Sequence, residues 1–168
     1  MKAEESYHYT VQLTGKDLWI FSMYHSYRGY LGIFNLLFTL ASAYLLIVRW
    51  HEVTIPYKML LIVCVLMFTV WQPLLLLLKA MKQASGEKMK TAIDMTFDQA
   101  GLRIAQRDQT VEIPWEQILK IVRIRGEYIF YMGRVNAYLL PARYVTDDEA
   151  WKDFLRNTAP EVCTRRLK

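Results

Sequence analysis

Residues 31–48 read LGIFNLLFTLASAYLLIV and residues 59–78 read MLLIVCVLMFTVWQPLLLLL, and neither stretch holds a charged side chain. As helices rising 1.5 Å per residue they would reach about 27 and about 30 Å. The hydrocarbon core of a bilayer is roughly 30 Å thick. A helix that packs one face on a soluble core keeps a polar stripe on the other, and these stretches keep none. Two membrane-spanning helices are therefore expected. The ten residues between them, 49–58, are too few for a domain, so the pair is expected to form an antiparallel hairpin with both chain ends on one side.

Charge assigns the side. Residues 79–90 hold Lys79, Lys82, Lys88 and Lys90 against Glu87, a large share of the net charge of +5. Lys16 and Arg28 lie on the same side of the hairpin, against Arg49 and Lys58 in its loop. The side richer in Lys and Arg faces the cytoplasm, which predicts an inner-membrane protein with both termini cytoplasmic. Tyr27, Tyr30, Trp50 and Tyr57 fall where aromatic side chains mark the interface. The lysine-rich segment reads as a collar attracted to anionic lipid. A nucleic-acid binder would spread its excess over a soluble face, so nucleic acid is not an expected partner. The chain begins Lys2-Ala3-Glu4-Glu5-Ser6, without the early apolar core of a signal peptide.

Inside the spans, Asn35 and Gln72 fall at similar depth in an antiparallel hairpin. They are a candidate interhelical polar pair, worth about 0.6 kcal/mol, or a polar contact for a partner helix or a substrate. Pro73 removes a backbone donor and predicts a kink, with the Thr69 hydroxyl placed to help the freed carbonyl region. The short patch Ala41-Ser42-Ala43 leaves homo-oligomerisation open.

Beyond a polar neck at residues 79–92 the period changes to two. Ile93, Met95 and Phe97 alternate with Asp94, Thr96 and Asp98, the pattern of a half-buried strand. Strands are expected again at Leu102–Ile104, Val111–Trp115, Ile118–Ile124, Tyr128–Met132 and Ala137–Leu140, with turns at Asp98-Gln99-Ala100-Gly101, Arg107-Asp108-Gln109, Gly126-Glu127 and Gly133-Arg134-Val135-Asn136. Thr146 opens a capping box with Glu149, and Trp151, Phe154 and Leu155 follow at helical spacing. In residues 1–30, Tyr7, Tyr9, Val11 and Leu13 alternate as a strand, and Thr14-Gly15-Lys16-Asp17 opens a short helix. A lone strand is unstable, so this one is expected to join the sheet of residues 93–168. The fold class is then an α+β membrane protein: the hairpin of residues 31–78, plus a cytoplasmic antiparallel sheet closed by a C-terminal helix.

The order of these elements, with Phe97-Asp98-Gln99-Ala100-Gly101, Ile113-Pro114-Trp115-Glu116-Gln117-Ile118 and Leu140-Pro141-Ala142-Arg143, resembles the YcxB-like family of bacterial membrane proteins. The resemblance implies a cytoplasmic domain like a pleckstrin-homology fold, and it brings no catalytic residues. Trp115 is expected in the core, and Arg143 in an ion pair or on an anion.

No enzyme constellation is visible. His8, His25 and His51 are scattered, and the chain has no HExxH, CxxC, Walker A or GxSxG pattern. Cys64 and Cys163 cannot build a disulfide framework or a metal knot. Asp147-Asp148-Glu149 sits in a helix first turn, where carboxylates are favoured by the dipole. A non-catalytic protein without cofactor or metal is expected. Arg123, Arg125, Arg134 and Arg143, with the four collar lysines, either form a face for anionic headgroups or a protein partner, or an ordinary surface paired with nearby acids. The expected function is a membrane-anchored binding module at the cytoplasmic face. The alternative is an immunity or envelope-stress protein that protects against a membrane-targeting toxin.

Overall fold

The computed structural model describes residues 6–124, 126–133, 136–165 and 167 of the 168-residue chain. The chain forms two compact units, residues 1–17 with 85–168, and residues 18–84. Residues 1–30 are thus divided between them: the N-terminal strand joins the sheet unit, and most of the following helix joins the apolar unit.

The sheet unit begins with strand β1 (Tyr7–Val11), whose hydrogen-bonding neighbour is β2 (Ile93–Phe97). The pairing is antiparallel, Tyr7 facing Phe97 and Val11 facing Ile93. This is the solution the instability of a lone strand demands. Strands β3 (Gly101–Gln106) and β4 (Gln109–Pro114) complete a four-stranded sheet in the order β1-β2-β3-β4. A second antiparallel sheet holds β5 (Lys120–Ile124), β6 (Glu127–Tyr131) and β7 (Ala137–Pro141), with β6 central.

There are therefore two sheets where the alternation predicts one. The break follows from Pro114, which cannot donate to a ladder, and from the 3-10 turn of Trp115–Gln117 that succeeds it. The predicted strand beginning at Ile118 starts at Lys120 instead.

The core lies between these strands and helix α6 (Asp148–Thr158), which turns Trp151, Phe154 and Leu155 inward. Trp151 is fully buried, edge-on to Tyr7, Tyr9, Phe97 and Tyr128 and stacked on Phe154. Each large apolar side chain removed from water this way contributes about 1.5–3 kcal/mol. Every residue of β6, on both its faces, is buried, and as the middle strand of its sheet it is paired along both edges.

The cap of α6 differs from expectation by one residue. Asp147, not Thr146, accepts from the backbone N–H groups of Glu149 (3.1 Å) and Ala150 (3.0 Å). A carboxylate suits this position because it satisfies orphan donors and also meets the positive end of the helix dipole. Asp147→Ala should cost about 1 kcal/mol, and Thr146→Ala much less. Thermal unfolding of the two variants side by side checks the ranking.

The apolar unit holds the rest of α1 (Gly15–Tyr27), then α2 (Tyr30–Val48), α3 (Ile55–Leu66), a π turn (Met67–Trp71) and α4 (Gln72–Ala84). From α3 to α4 the chain is one continuous helical run, Ile55–Ala84. It starts four residues earlier than the apolar composition implies, with Pro56 in its first turn, where a missing N–H is harmless. It ends six residues later, and the short helix α5 (Glu87–Lys90) follows it, so most of the predicted neck is helix. Residues 49–54 join α2 to the run, and Arg49 and Glu52 pair within this loop at 2.5 Å.

Pro73 does disturb the helix, through the π turn just before it. Widened turns leave carbonyls off the regular ladder, and hydroxyl and indole donors reach the local backbone. Thr69 donates to the Val65 carbonyl (2.7 Å), Tyr27 to that of Phe68 (2.6 Å) and Trp19 to that of Pro73 (3.1 Å). Most large apolar side chains of α2 and of Ile55–Ala84 point outward and are exposed, Leu36, Leu37, Ile47 and Trp71 among them. Both helices are long and apolar enough to cross a membrane.

Candidate functional site

Asn35 and Gln72 of the apolar unit meet as a pair. The Asn35 amide, itself buried, donates from Nδ2 to Oε1 of Gln72 at 3.1 Å. The antiparallel packing of α2 against the second helix sets the depth at which these amides meet.

The predicted cationic face is divided. Arg123, on β5, bonds the Asp148 carboxylate at 2.9 Å, and Asp148 also receives Lys152 at 3.0 Å and the Tyr128 hydroxyl at 2.5 Å. Burial works to raise the Asp148 carboxyl, but these donors outweigh it and hold it below its ordinary value. Arg143 is committed to Asp17, so the two described arginines of the predicted rim are each tied to a carboxylate. Arg125, Arg134 and the Lys88 side chain lie outside the described residues. Lys79, Lys82 and Lys90 are exposed, and among the described residues none forms an ion pair with them. Asp147-Asp148-Glu149 is taken up by the α6 cap and by these ion pairs, and the described residues hold no group of acids, histidines and cysteines able to ligate a metal.

The residues quoted for the family resemblance join in space. Gly101 pairs with Pro114 in the β3–β4 ladder. Asp98 accepts from the N–H groups of Ala100 (2.8 Å) and Gly101 (3.0 Å) through its side chain. Its carbonyl takes the Trp115 indole N–H at 3.0 Å. A Cβ at residue 101 would run into the Ile113 carbonyl, which explains the glycine. Trp115 is buried in the core. These residues hold the fold: the first motif makes the turn and the second locks it. The same turn borders a shallow open groove of about 360 Å³ between β3 and β4, crossed by the Arg103–Glu112 ion pair at 2.8 Å.

A second polar cluster has no counterpart in the sequence reading. Asp17, in the first turn of α1, is 3% exposed. Its carboxylate accepts from the Thr14 N–H (2.7 Å), the Thr14 hydroxyl (2.8 Å) and both terminal nitrogens of Arg143 (2.7 and 2.8 Å). Arg143 follows β7 in a 3-10 turn, and it also donates to the Gln12 carbonyl at 3.1 Å. Burial would raise the Asp17 carboxyl, yet these donors keep it below the usual carboxylate range.

Beside it stands Glu127, the first residue of β6 and 1% exposed. Neither carboxyl oxygen has a hydrogen-bond donor among the described residues. Burial, and then the charge of Asp17, push Glu127 up to about 8, with Arg143 pulling the other way. The sequence places Glu127 in a hairpin turn, where a carboxylate would be solvated. The signal that could have found it is topological: a residue opening the central strand of a three-stranded sheet has neighbours on both sides.

Two exposed apolar helices and a separate unit of two antiparallel sheets with a closing helix define the class, an α+β protein with an apolar helical hairpin inserted after its first strand. Residues 97–156, from the end of β2 into α6, match the family model of YcxB-like protein. No curated protein and no solved structure matches the chain.

Proposed function

We propose that the protein is a membrane-anchored, non-catalytic binding module of the cytoplasmic face of a bacterial inner membrane. The observation that supports this best is the outward-facing apolar surface of α2 and of Ile55–Ala84. Such an area of exposed leucine and isoleucine is unsustainable in water. In lipid it is favourable, and the helices satisfy their own backbone groups. The excess of lysine after the second helix supports a cytoplasmic location for both termini. Four strands in one sheet, three in the next and a final amphipathic helix support the pleckstrin-homology-like reading of the sheet unit.

Within this reading the lysine collar and not the arginine rim meets anionic headgroups. Arg123 and Arg143 have carboxylate partners, whereas Lys79, Lys82 and Lys90 keep their charge for an outside ligand. The sheet unit is then left to dock a protein partner. Alkaline extraction of membranes from expressing cells tests the anchor, and protein released with the peripheral fraction would overturn it. Tags at the two ends should both be shielded from protease in intact spheroplasts. The triple variant Lys79→Gln, Lys82→Gln, Lys90→Gln should lose about 1 kcal/mol of anionic-lipid attraction per lysine. Spin-labelled phosphatidylglycerol against phosphatidylcholine around the reconstituted chain measures this at low and high salt. Equal selectivity in the variant and its parent would remove the collar from the proposal.

A further inference from the structure

We propose that Glu127 and Asp17 form a proton-binding site. One proton, resident on the Glu127 carboxyl and donated to the Asp17 carboxylate, holds the first turn of α1 to the start of β6. The inference goes beyond the anchored-module reading and does not depend on it.

The geometry leaves few alternatives for Glu127. Its two oxygens are sealed from water and no N–H or O–H is aimed at them among the described residues. An ionised carboxylate in that position would be desolvated with no hydrogen bond in return and only the Arg143 charge to offset it. Its neighbour Asp17 is already saturated with donors from Thr14 and Arg143 and so stays ionised. Two carboxyl groups in one site ionise in sequence, because the second charge meets the first. The group with the donors gives up its proton first, and the group without them keeps it. A protonated Glu127 places a hydrogen between the two carboxyl groups, so the contact changes from repulsion to a charge-assisted hydrogen bond.

Among the described residues, the charged groups that face Glu127 are Asp17 from α1 and Arg143 from the turn after β7. Just after β1, Gln12 contributes a backbone carbonyl, which accepts from Arg143 and from the Tyr144 hydroxyl. Arg143 moderates the site, but its guanidinium is engaged by Asp17 and Gln12. The raised value of about 8 for Glu127 puts release of the proton to water slightly above neutrality. Release leaves two buried negative charges against one arginine. The Asp17 contact then weakens, at the residue where the chain passes from the sheet unit into the apolar one.

The test is infrared titration of the full chain in lipid nanodiscs. The expected result is a protonated-carboxyl carbonyl band at neutral pH that fades with a midpoint near 8 and is missing from Glu127→Gln. A band unchanged by that substitution, or no band at neutral pH, overturns the site. Asp17→Asn tests the sharing: it removes the like charge and frees Arg143, so the Glu127 midpoint should fall by about one pH unit or more. Because Asp17 also caps α1, Arg143→Gln provides a second arm, in which the midpoint should rise. A midpoint that stays put in both variants overturns the shared proton. Amide exchange of residues 14–22, compared with Glu127→Gln at equal pH, should match about one unit below the midpoint and run faster in the parent about one unit above it. Equal exchange at both would overturn the loosening.

Discussion

Trp151→Ala is expected to cost the sheet unit about 3–5 kcal/mol, the usual range for deleting a large aromatic from a packed core. A domain's whole stability is about 5–15 kcal/mol, so this single change should bring the unit close to unfolding. The reason is position. Trp151 has 0% exposure and contacts rings from β1, β2 and β6 as well as Phe154 on its own helix. Removing it opens a cavity at the point where the pre-hairpin strand, both sheets and the closing helix converge, and rigid strands on several sides cannot collapse into the space. Trp151→Phe should cost much less. Its ring fills most of the volume, and it discards an indole N–H that is buried without an acceptor among the described residues. Denaturant unfolding of the full chain in detergent, followed by near-ultraviolet circular dichroism, separates the two. A loss below about 1 kcal/mol for Trp151→Ala would mean that α6 does not close the core as described.

The same convergence explains which parts of the fold were legible in the sequence. The helical hairpin was, because length and the absence of charge are local properties. So was the attachment of β1, because Tyr7, Tyr9 and Val11 alternate yet had no nearby strand to pair with, and a hairpin returns the chain to the side it left. Asn35 and Gln72 could be matched by depth alone. The division into two sheets was hidden, since alternation runs on through Ile113 and Trp115 and only the 3-10 turn interrupts it. The cap of α6 falls one residue later than the capping-box pattern implies, because Thr146 and Asp147 are both good capping residues in a Thr-Asp-Asp-Glu run. The Asp17–Arg143–Glu127 cluster was out of reach for a stronger reason. Asp17 lies over a hundred residues of chain from the other two members, and Glu127 looks like any turn carboxylate until the β5–β6–β7 order shows that it opens a central strand. Arg143 was read as a partner for an acid or an anion, but nothing local identified Asp17 as the acid.

Glu127→Gln is expected to stabilise the protein at neutral pH and to flatten its pH dependence, an unusual result for removing a buried ionisable group. Below the ordinary value of 4.5 the residue is protonated in both folded and unfolded chains, and ionisation costs the fold nothing. As pH rises from there, the unfolded chain ionises while the folded one holds its proton up to about 8. Through that window stability falls by up to about 1.4 kcal/mol per pH unit, and above it the loss is complete and constant. Asp17 works in the opposite sense and in a different window, because its value is lowered: its contribution is lost as pH drops below the usual carboxylate range. The parent should therefore be most stable on the acid side of neutrality. A glutamine amide at residue 127 donates to Asp17 at every pH and carries no charge to desolvate. The variant should gain roughly 3 kcal/mol at neutral pH as an upper figure, with no slope left between 4.5 and 8 from this site. Unfolding free energies at half-unit steps across the window decide the matter. Parallel curves for parent and variant would show that Glu127 ionises as easily in the folded chain as in the unfolded one, and that its burial is relieved by water.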